Sequence, residues 1–320
     1  MSNDRGDAEG SPVPSSVLPV VAVVGPTAAG KSELSLDLAE LLGGEVVNTD
    51  SMQVYRGMDI GTAKLAAAER RDVPHHLLDL LGVTEPASVA EFQTLARGVV
   101  GDLRARGVVP VLVGGSALYT RAVLDRFEFP GTDPDVRARI EARLAVVGAG
   151  ELHARLREAD PEAAARILPS NSRRVVRALE VVELTGRPFT STLPSLTYVH
   201  EPTVQVGVRI PRPVLDERIE LRVRRMWDAG LVEEVRRLAA AGLRDGRTAS
   251  RALGYAQVLA LLVGELTEQE AFDRTVTGTR RFARRQGAWF EKDPRVTWVD
   301  WDDPARADRA VEAVEAATRG

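Results

Sequence analysis

With 320 residues and 44% hydrophobic content, the chain has room for one large domain, or a domain plus a smaller lobe, around a full core. The net charge of −4 excludes a globally basic nucleic-acid binder, so any surface for a polyanion must be local. The absence of cysteine removes disulfides, thiolate metal sites and cysteine nucleophiles together, and four histidines, two of them adjacent, make a poor metal set.

Residues 1–18 read as a disordered tail: the start is acidic and rich in Ser, Pro and Gly, without the basic and apolar segments of a secretory signal. No run approaches the ~18 apolar residues of a membrane helix, so a cytoplasmic protein with no membrane partner is expected. Pro19 to Val24 predicts a buried strand, and Glu33 to Leu42 a helix with Leu34, Leu38, Leu41 and Leu42 at helical spacing. Between them lies Gly25-Pro26-Thr27-Ala28-Ala29-Gly30-Lys31-Ser32, a nucleotide-binding P-loop pattern in the strand–loop–helix context it requires. Its backbone N–H groups can cradle phosphate at a helix N-terminus, Lys31 can reach the outer phosphate, and Ser32 can place its hydroxyl on Mg²⁺. Lysine occurs only at positions 31, 64 and 292 among 42 basic residues, so a lysine retained in the loop points to a need for a compact ammonium.

Gly43-Gly44 stops the helix, and Glu45 to Asn48 predicts a second strand ending in Thr49-Asp50-Ser51-Met52-Gln53-Val54-Tyr55. Ligands of parallel sheets sit beyond the carboxyl ends of strands, so Asp50 faces the phosphate loop as a candidate general base; its other reading is a cap for the next turn. Gly57 to Lys64 is a loop and a candidate site wall. Ala66 to Arg71 reads as a charged helix. The adjacent His75 and His76 point to opposite sides, a poor geometry for joint metal ligation, and are read as structural or as part of a substrate loop. Ser88 to Arg106 reads as a helix opened by a Ser88–Glu91 capping box. Val108 to Val113 is a third strand, ending in Gly114-Gly115-Ser116 where many P-loop NTPases hold magnesium with an acid. Ala117 to Leu124 continues as a helix.

Residues 131–201 read as an all-helical insertion, with helices at Pro134 to Val147, Gly150 to Ala159 and Ser172 to Leu184. Val204, Val206, Val208 and Ile210 return the chain to the sheet, and Pro211 and Pro213 end that strand. Helices are expected from Leu215 to Met226, with Arg218, Arg222, Arg224 and Arg225, and from Leu231 to Ala241. Ser250 to Tyr255 is a loop entering a helix through Leu262. Thr267 to Phe290 is the longest helix, with a Thr267–Glu270 capping box and an apolar face of Phe272, Val276, Ala283 and Phe290. Arg274, Arg281 and Arg285 lie opposite and Arg280 and Arg284 on a flank. No acid lies between Asp273 and Glu291, so these five arginines are read as unpaired and available to phosphate. A last strand, Val296 to Val299, precedes an acidic tail from Asp300. The expected fold is α/β: a P-loop NTPase-like parallel sheet core covered by helices, formed by 19–130 and 202–320, with the helical insertion between.

The residues alone describe an enzyme that binds a di- or triphosphate and performs transfer rather than energy coupling. The acceptor stays open at this level. A small-molecule P-loop kinase and a non-catalytic RNA-binding regulator that switches on nucleotide are the alternatives.

Beyond that, the chain resembles the tRNA dimethylallyltransferase (tRNA isopentenyltransferase) family of bacteria. The resemblance rests on Gly25 to Ser32, Asp50 to Tyr55, Gly61-Thr62-Ala63-Lys64, Val73-Pro74-His75-His76, Val113 to Ser116, Asn171 to Glu180, Arg251-Ala252-Leu253-Gly254-Tyr255 and Arg284 to Phe290. It implies a monomer that transfers a dimethylallyl group from dimethylallyl diphosphate to N6 of adenosine-37 in tRNA, beside the anticodon. The loop from Gly25 to Ser32 would hold the diphosphate with Mg²⁺ as cofactor, bound through Ser32. Thr27 and Arg222 would contact the diphosphate, and Asp50 would accept the N6 proton. The resemblance assigns tRNA contacts to Asp50, Ser51, Met52, Gln53, Ser116, Arg137, Arg173, Arg174, Arg177, Arg251, Gly254, Tyr255, Arg281, Arg284, Arg285 and Gln286, with 131–201 as a tRNA-binding domain. An enzyme that prenylates free adenylate is the nearest alternative, and it would need no tRNA surface.

Overall fold

The computed structural model describes residues 18–189 and 195–319; nearly all of the expected N-terminal tail lies outside them. Six strands, β1 (Val20–Val24), β2 (Gly44–Asn48), β3 (His75–His76), β4 (Val109–Val113), β5 (Thr203–Arg209) and β6 (Val296–Asp300), form one sheet in the order β3-β2-β4-β1-β5-β6. All five pairings are parallel. Every residue of β1 is buried, as expected for a strand covered on both faces. Its valines pack with Val111, Val206 and Val208 and with Leu34 and Leu38 of helix α1 (Lys31–Leu42). Leu41, read as part of that apolar stripe, is exposed. Left-handed Gly30 and Gly43 bound α1 at its two ends, where a side chain would be strained.

β2 fits against β4 because Gly44 has no side chain: a Cβ there would sit 2.5 Å from the Val109 carbonyl oxygen. The His pair forms the edge strand β3. His75 Nδ1 bonds the Val73 carbonyl at 2.8 Å and His76 Nε2 bonds the Glu45 carboxylate at 2.6 Å, which gives both a structural task. The expected charged helix at 66–71 is a single 3₁₀ turn, Ala67–Glu69. Helices α2 (Val89–Ala105) and α3 (Ala117–Leu124) flank β4, and Ser88 Oγ caps α2 by accepting the Glu91 N–H.

After β5, helix α7 (Arg212–Asp228) starts three residues earlier than the spacing predicts. Pro213 lies in its first turn, where a missing N–H costs nothing. Helices α8 (Leu231–Ala240), α9 (Tyr255–Leu262) and α10 (Glu268–Phe290) follow; both bonds of the Thr267–Glu270 capping box are present. The segment beyond β6, expected only as an acidic tail, contains a further helix, α11 (Arg306–Arg319). Its Ala307, Ala310, Val311 and Val314 form a stripe at helical spacing against the sheet core.

The described residues divide into two compact units, one within 1–123 and 200–320 and the other within 124–199. Residues 124–130 go with the second unit because Asp125 bridges Tyr198 in antiparallel fashion and Arg126 N–H donates to the Thr197 carbonyl. Within that unit the first two expected helices form one element, α4 (Pro134–Ala159), broken at Gly148 (φ 79°). A short α5 (Pro161–Arg166), capped by the Asp160 side chain, adds to the expected set, and α6 (Ser172–Thr185) ends at left-handed Gly186. Ile140, Leu152, Leu156, Ile167, Val175 and Val176 make its core.

Candidate active site

The buried strand β1 delivers the glycine loop at the carboxyl edge of the sheet. Gly25 (φ +131°) runs so close to β5 that a Cβ would sit 3.1 Å from the Val208 carbonyl oxygen. Ala28 is left-handed (φ 66°) despite its methyl group. Its carbonyl accepts from Arg218 Nε at 2.9 Å, and the Arg218 guanidinium packs 5.0 Å from the Trp301 ring. Lys31 curls back across the loop and donates to the Pro26 carbonyl at 2.7 Å. One helical turn beyond Arg218 lies Arg222, which donates to the Thr62 carbonyl at 3.4 Å.

Charge at this point is unbalanced. Burial, helped by the neighbouring Arg222, pulls the Lys31 ammonium down to a pKa of about 7, and Asp50 only partly opposes this. Burial likewise holds Arg222 below its ordinary value, with Asp50 again opposing. Two desolvated cations therefore face one carboxylate, an arrangement suited to a polyanion. The structure brings Lys31, Arg222 and Asp50 together from α1, α7 and the end of β2. Ser32, the second residue of α1, is exposed next to Lys31 in sequence.

Asp50 caps the turn after β2, one of its two sequence readings. Its Oδ1 accepts the Met52 N–H at 2.8 Å and so shapes the turn, while its own N–H donates to Asn48 Oδ1 at 2.9 Å. The second carboxylate oxygen has no protein partner among the described residues and is available to a ligand. The missing acid after β4 has a steric cause. A Cβ on Gly114 would sit 2.3 Å from Thr49 Oγ1, and one on Gly115 2.2 Å from Gln286 Nε2, so no side chain fits at either position.

The wall from Tyr55 to Lys64 is held by two buried charges. Lys64 donates to Asp79 (2.6 Å), Asp59 (2.7 Å) and the Tyr55 carbonyl (3.0 Å). Glu234, 1% exposed, accepts the N–H groups of Asp59, Ile60 and Gly61 at 3.2, 2.8 and 3.2 Å, and the Tyr255 hydroxyl at 2.6 Å. Burial and the adjacent Glu234 push the Tyr255 phenol far above its ordinary range, so it remains a donor. Its ring covers Gly61, where a Cβ would meet Tyr255 Cε2 at 2.5 Å. Tyr255→Phe should keep the ring and delete one donor to a buried carboxylate. The expected loss is about 1–3 kcal/mol of stability, read from urea unfolding midpoints.

A family model for IPP transferase matches residues 53–293, beginning just after the glycine loop and Asp50. A tRNA dimethylallyltransferase of Nocardioides sp. is 65% identical over 302 residues, covering 94% of this chain and 97% of that relative. The chain belongs to the IPP transferase family. Among solved structures, the tRNA isopentenylpyrophosphate transferase of Bacillus halodurans aligns with a TM-score of 0.70 at 41% identity, covering 94% of this chain and 98% of that one. A eukaryotic dimethylallyltransferase acting on tRNA aligns with a TM-score of 0.78 at 26% identity, covering 92% of this chain and 77% of that one.

In this IPP transferase the residues expected to touch RNA fall into three groups. Arg173 and Arg174 on α6, Arg251, and Arg281, Arg284 and Arg285 on α10 are exposed. Ser51, Met52, Gln53 and Ser116 are half-buried. The others are engaged within the protein. Tyr255 is fully buried and committed to Glu234, Gly254 is buried at the N-cap of α9, and Gln286 is 6% exposed and bonded to backbone on both sides. Arg137 and Arg177 converge on the buried carboxylate of Glu180 at 2.5 and 2.9 Å, and Arg177 also donates to the carbonyls of Pro130 and Gly131. Of the five arginines of α10 read as unpaired, Arg280 donates to Glu220 at 2.8 Å and to the Asp216 carbonyl. Its acid comes from α7, out of reach of an argument from helix spacing.

Proposed function

We propose that this chain transfers a dimethylallyl group from dimethylallyl diphosphate to N6 of the adenosine beside the anticodon of tRNA and releases diphosphate. The observation that carries the reading is the pair of desolvated cations, Lys31 and Arg222, set around the glycine loop with one free oxygen of Asp50 facing them. The diphosphate sits in the loop, with Thr27, Lys31 and Arg222 as its side-chain partners. As the prenyl carbon–oxygen bond breaks, its electron pair goes to the diphosphate oxygen, where the two cations stabilise the growing charge. The N6 lone pair forms the new bond to that carbon, and its proton passes to the free Asp50 oxygen. The base must leave its stack to reach the buried loop.

The protein donors fit a magnesium ion that arrives with the diphosphate. The Ser32 hydroxyl is exposed beside the loop, no acid follows β4, and no cluster of three acidic or histidine ligands occurs among the described residues. Bound there, Mg²⁺ supplies further neutralisation of diphosphate charge.

The exposed arginines of each unit are its RNA contacts. Arg173 and Arg174 occupy the first turn of α6, where the helix dipole disfavours cations and no acid offsets them. A phosphate there repays that unfavourable placement. Replacing Arg281, Arg284 and Arg285 together by alanine should weaken tRNA binding. The log–log salt slope should fall by about one for each phosphate group these side chains neutralise, so that the deficit is widest at low salt. Filter binding across a salt series reads both.

Acceptor choice tests the reading against prenylation of a free nucleotide. With dimethylallyl diphosphate as donor, the anticodon stem-loop of tRNA should be prenylated and AMP should not. Equal turnover on AMP would overturn it.

A further inference from the structure

Gln286 differs from the arginines beside it on α10. Its side chain turns inward, Oε1 accepting the Thr27 N–H at 2.9 Å and Nε2 donating to the Gly115 carbonyl at 2.8 Å. One amide thus joins the third residue of the glycine loop to the turn after β4, using its acceptor on one side and a donor on the other. The fit is tight enough to explain Gly115. That residue is not left-handed, so a side chain there would carry no backbone strain. What excludes it is the Gln286 amide nitrogen, 2.2 Å from where a Cβ would lie; the next nearest atoms are at 3.1 and 3.4 Å.

We propose that Gln286 is a positioning residue for the glycine loop and makes no contact with RNA. It fixes the Thr27 amide, and with it the direction of the Thr27 hydroxyl and the path of the loop into Ala28 and Lys31. Helix α10 then has two tasks on two faces: Arg281, Arg284 and Arg285 outward toward nucleic acid, Gln286 inward toward the diphosphate. The proposal rests on the reading of the loop as a diphosphate site.

The test is a double-mutant cycle on the full chain, with inorganic pyrophosphate titrated calorimetrically in the presence of Mg²⁺ and tRNA affinity measured separately by filter binding. Gln286→Ala should weaken pyrophosphate binding about tenfold, because the loop loses a buried bond that preorganises it. Gly115→Ala should do the same by pushing the amide away. The double variant should bind no more weakly than Gln286→Ala alone, since removing the amide makes room for the new methyl group. The tRNA affinity of all three should stay at the wild-type value. Gln286→Glu provides a second route if the alanine variant does not fold. It keeps an acceptor for the Thr27 N–H but sets an oxygen against the Gly115 carbonyl, and it should show the same loss for pyrophosphate alone.

Undiminished pyrophosphate binding in the Gln286 variants, additive losses in the cycle, or a parallel loss of tRNA affinity would each overturn the proposal. So would a wild-type protein that binds no pyrophosphate. Failure of the prenyl-transfer reading looks different: the wild type would bind pyrophosphate and transfer nothing to tRNA.

Discussion

Asp50→Ala should lower the single-turnover rate of prenyl transfer by about 10²- to 10⁴-fold, the usual worth of a positioned general base. Asp50→Asn separates that role from the structural one. The amide oxygen of asparagine can still accept the Met52 N–H that Asp50 Oδ1 now takes at 2.8 Å, so the turn after β2 survives. The side chain loses its capacity to take a proton. Asn and Ala variants should therefore be comparably slow, with the Asn variant as stable as wild type. Both should keep most of their tRNA affinity, since the phosphate-contacting surfaces lie elsewhere. An Asn variant that retained wild-type rates would reduce Asp50 to the cap of a turn.

Lys31→Ala should lower kcat by about 10²- to 10³-fold, the usual effect of removing one preorganised donor aimed at developing negative charge. Lys31 also makes ligand binding depend on pH, with a definite sign. In the free protein its pKa lies near 7, pulled down by burial and Arg222 from an ordinary value of 10.5. A diphosphate arriving beside it favours the charged form and raises that pKa. Above about pH 7 the free protein has largely released this proton, while the complex holds it until its own raised pKa is reached, so binding takes up as much as one proton. Affinity should fall as pH rises through that window. Below it Lys31 is charged in both states and its contribution to the pH dependence vanishes. Calorimetry of pyrophosphate binding at pH 8, in buffers of different ionisation enthalpy, counts the protons. Lys31→Arg, which stays charged throughout, should abolish the uptake.

Much of the site could be read directly from the sequence, because its signals are local. The glycine loop sits between a strand and a helix, Asp50 at a strand end, and the Thr267–Glu270 box at the start of α10. The features that escaped are those whose partner lies far along the chain. Nothing near Glu234 in sequence marks it as the acid that holds Asp59, Ile60 and Gly61, and only the fold brings it to Tyr255. The same holds for Arg280, paired through α7, and for Arg137 and Arg177, which meet over Glu180. A count of unpaired cations along one helix cannot see acids supplied by another. Gln286 and Tyr255 fell among motif residues assigned as a block to RNA contact, and burial splits the block. Helix α11 escaped because half of its apolar stripe is alanine, a weak hydrophobic signal among many charges.

On the proposed reaction the glycine loop holds a leaving diphosphate rather than a nucleotide to be hydrolysed. The most direct test is a product count: the purified chain with Mg²⁺, tRNA, dimethylallyl diphosphate and ATP, with prenylated nucleoside, pyrophosphate and ADP each quantified over the same interval. One pyrophosphate should be released for each prenylated adenosine formed, with ATP unconsumed. Turnover of ATP to ADP with no prenylated nucleoside would contradict the proposed reaction.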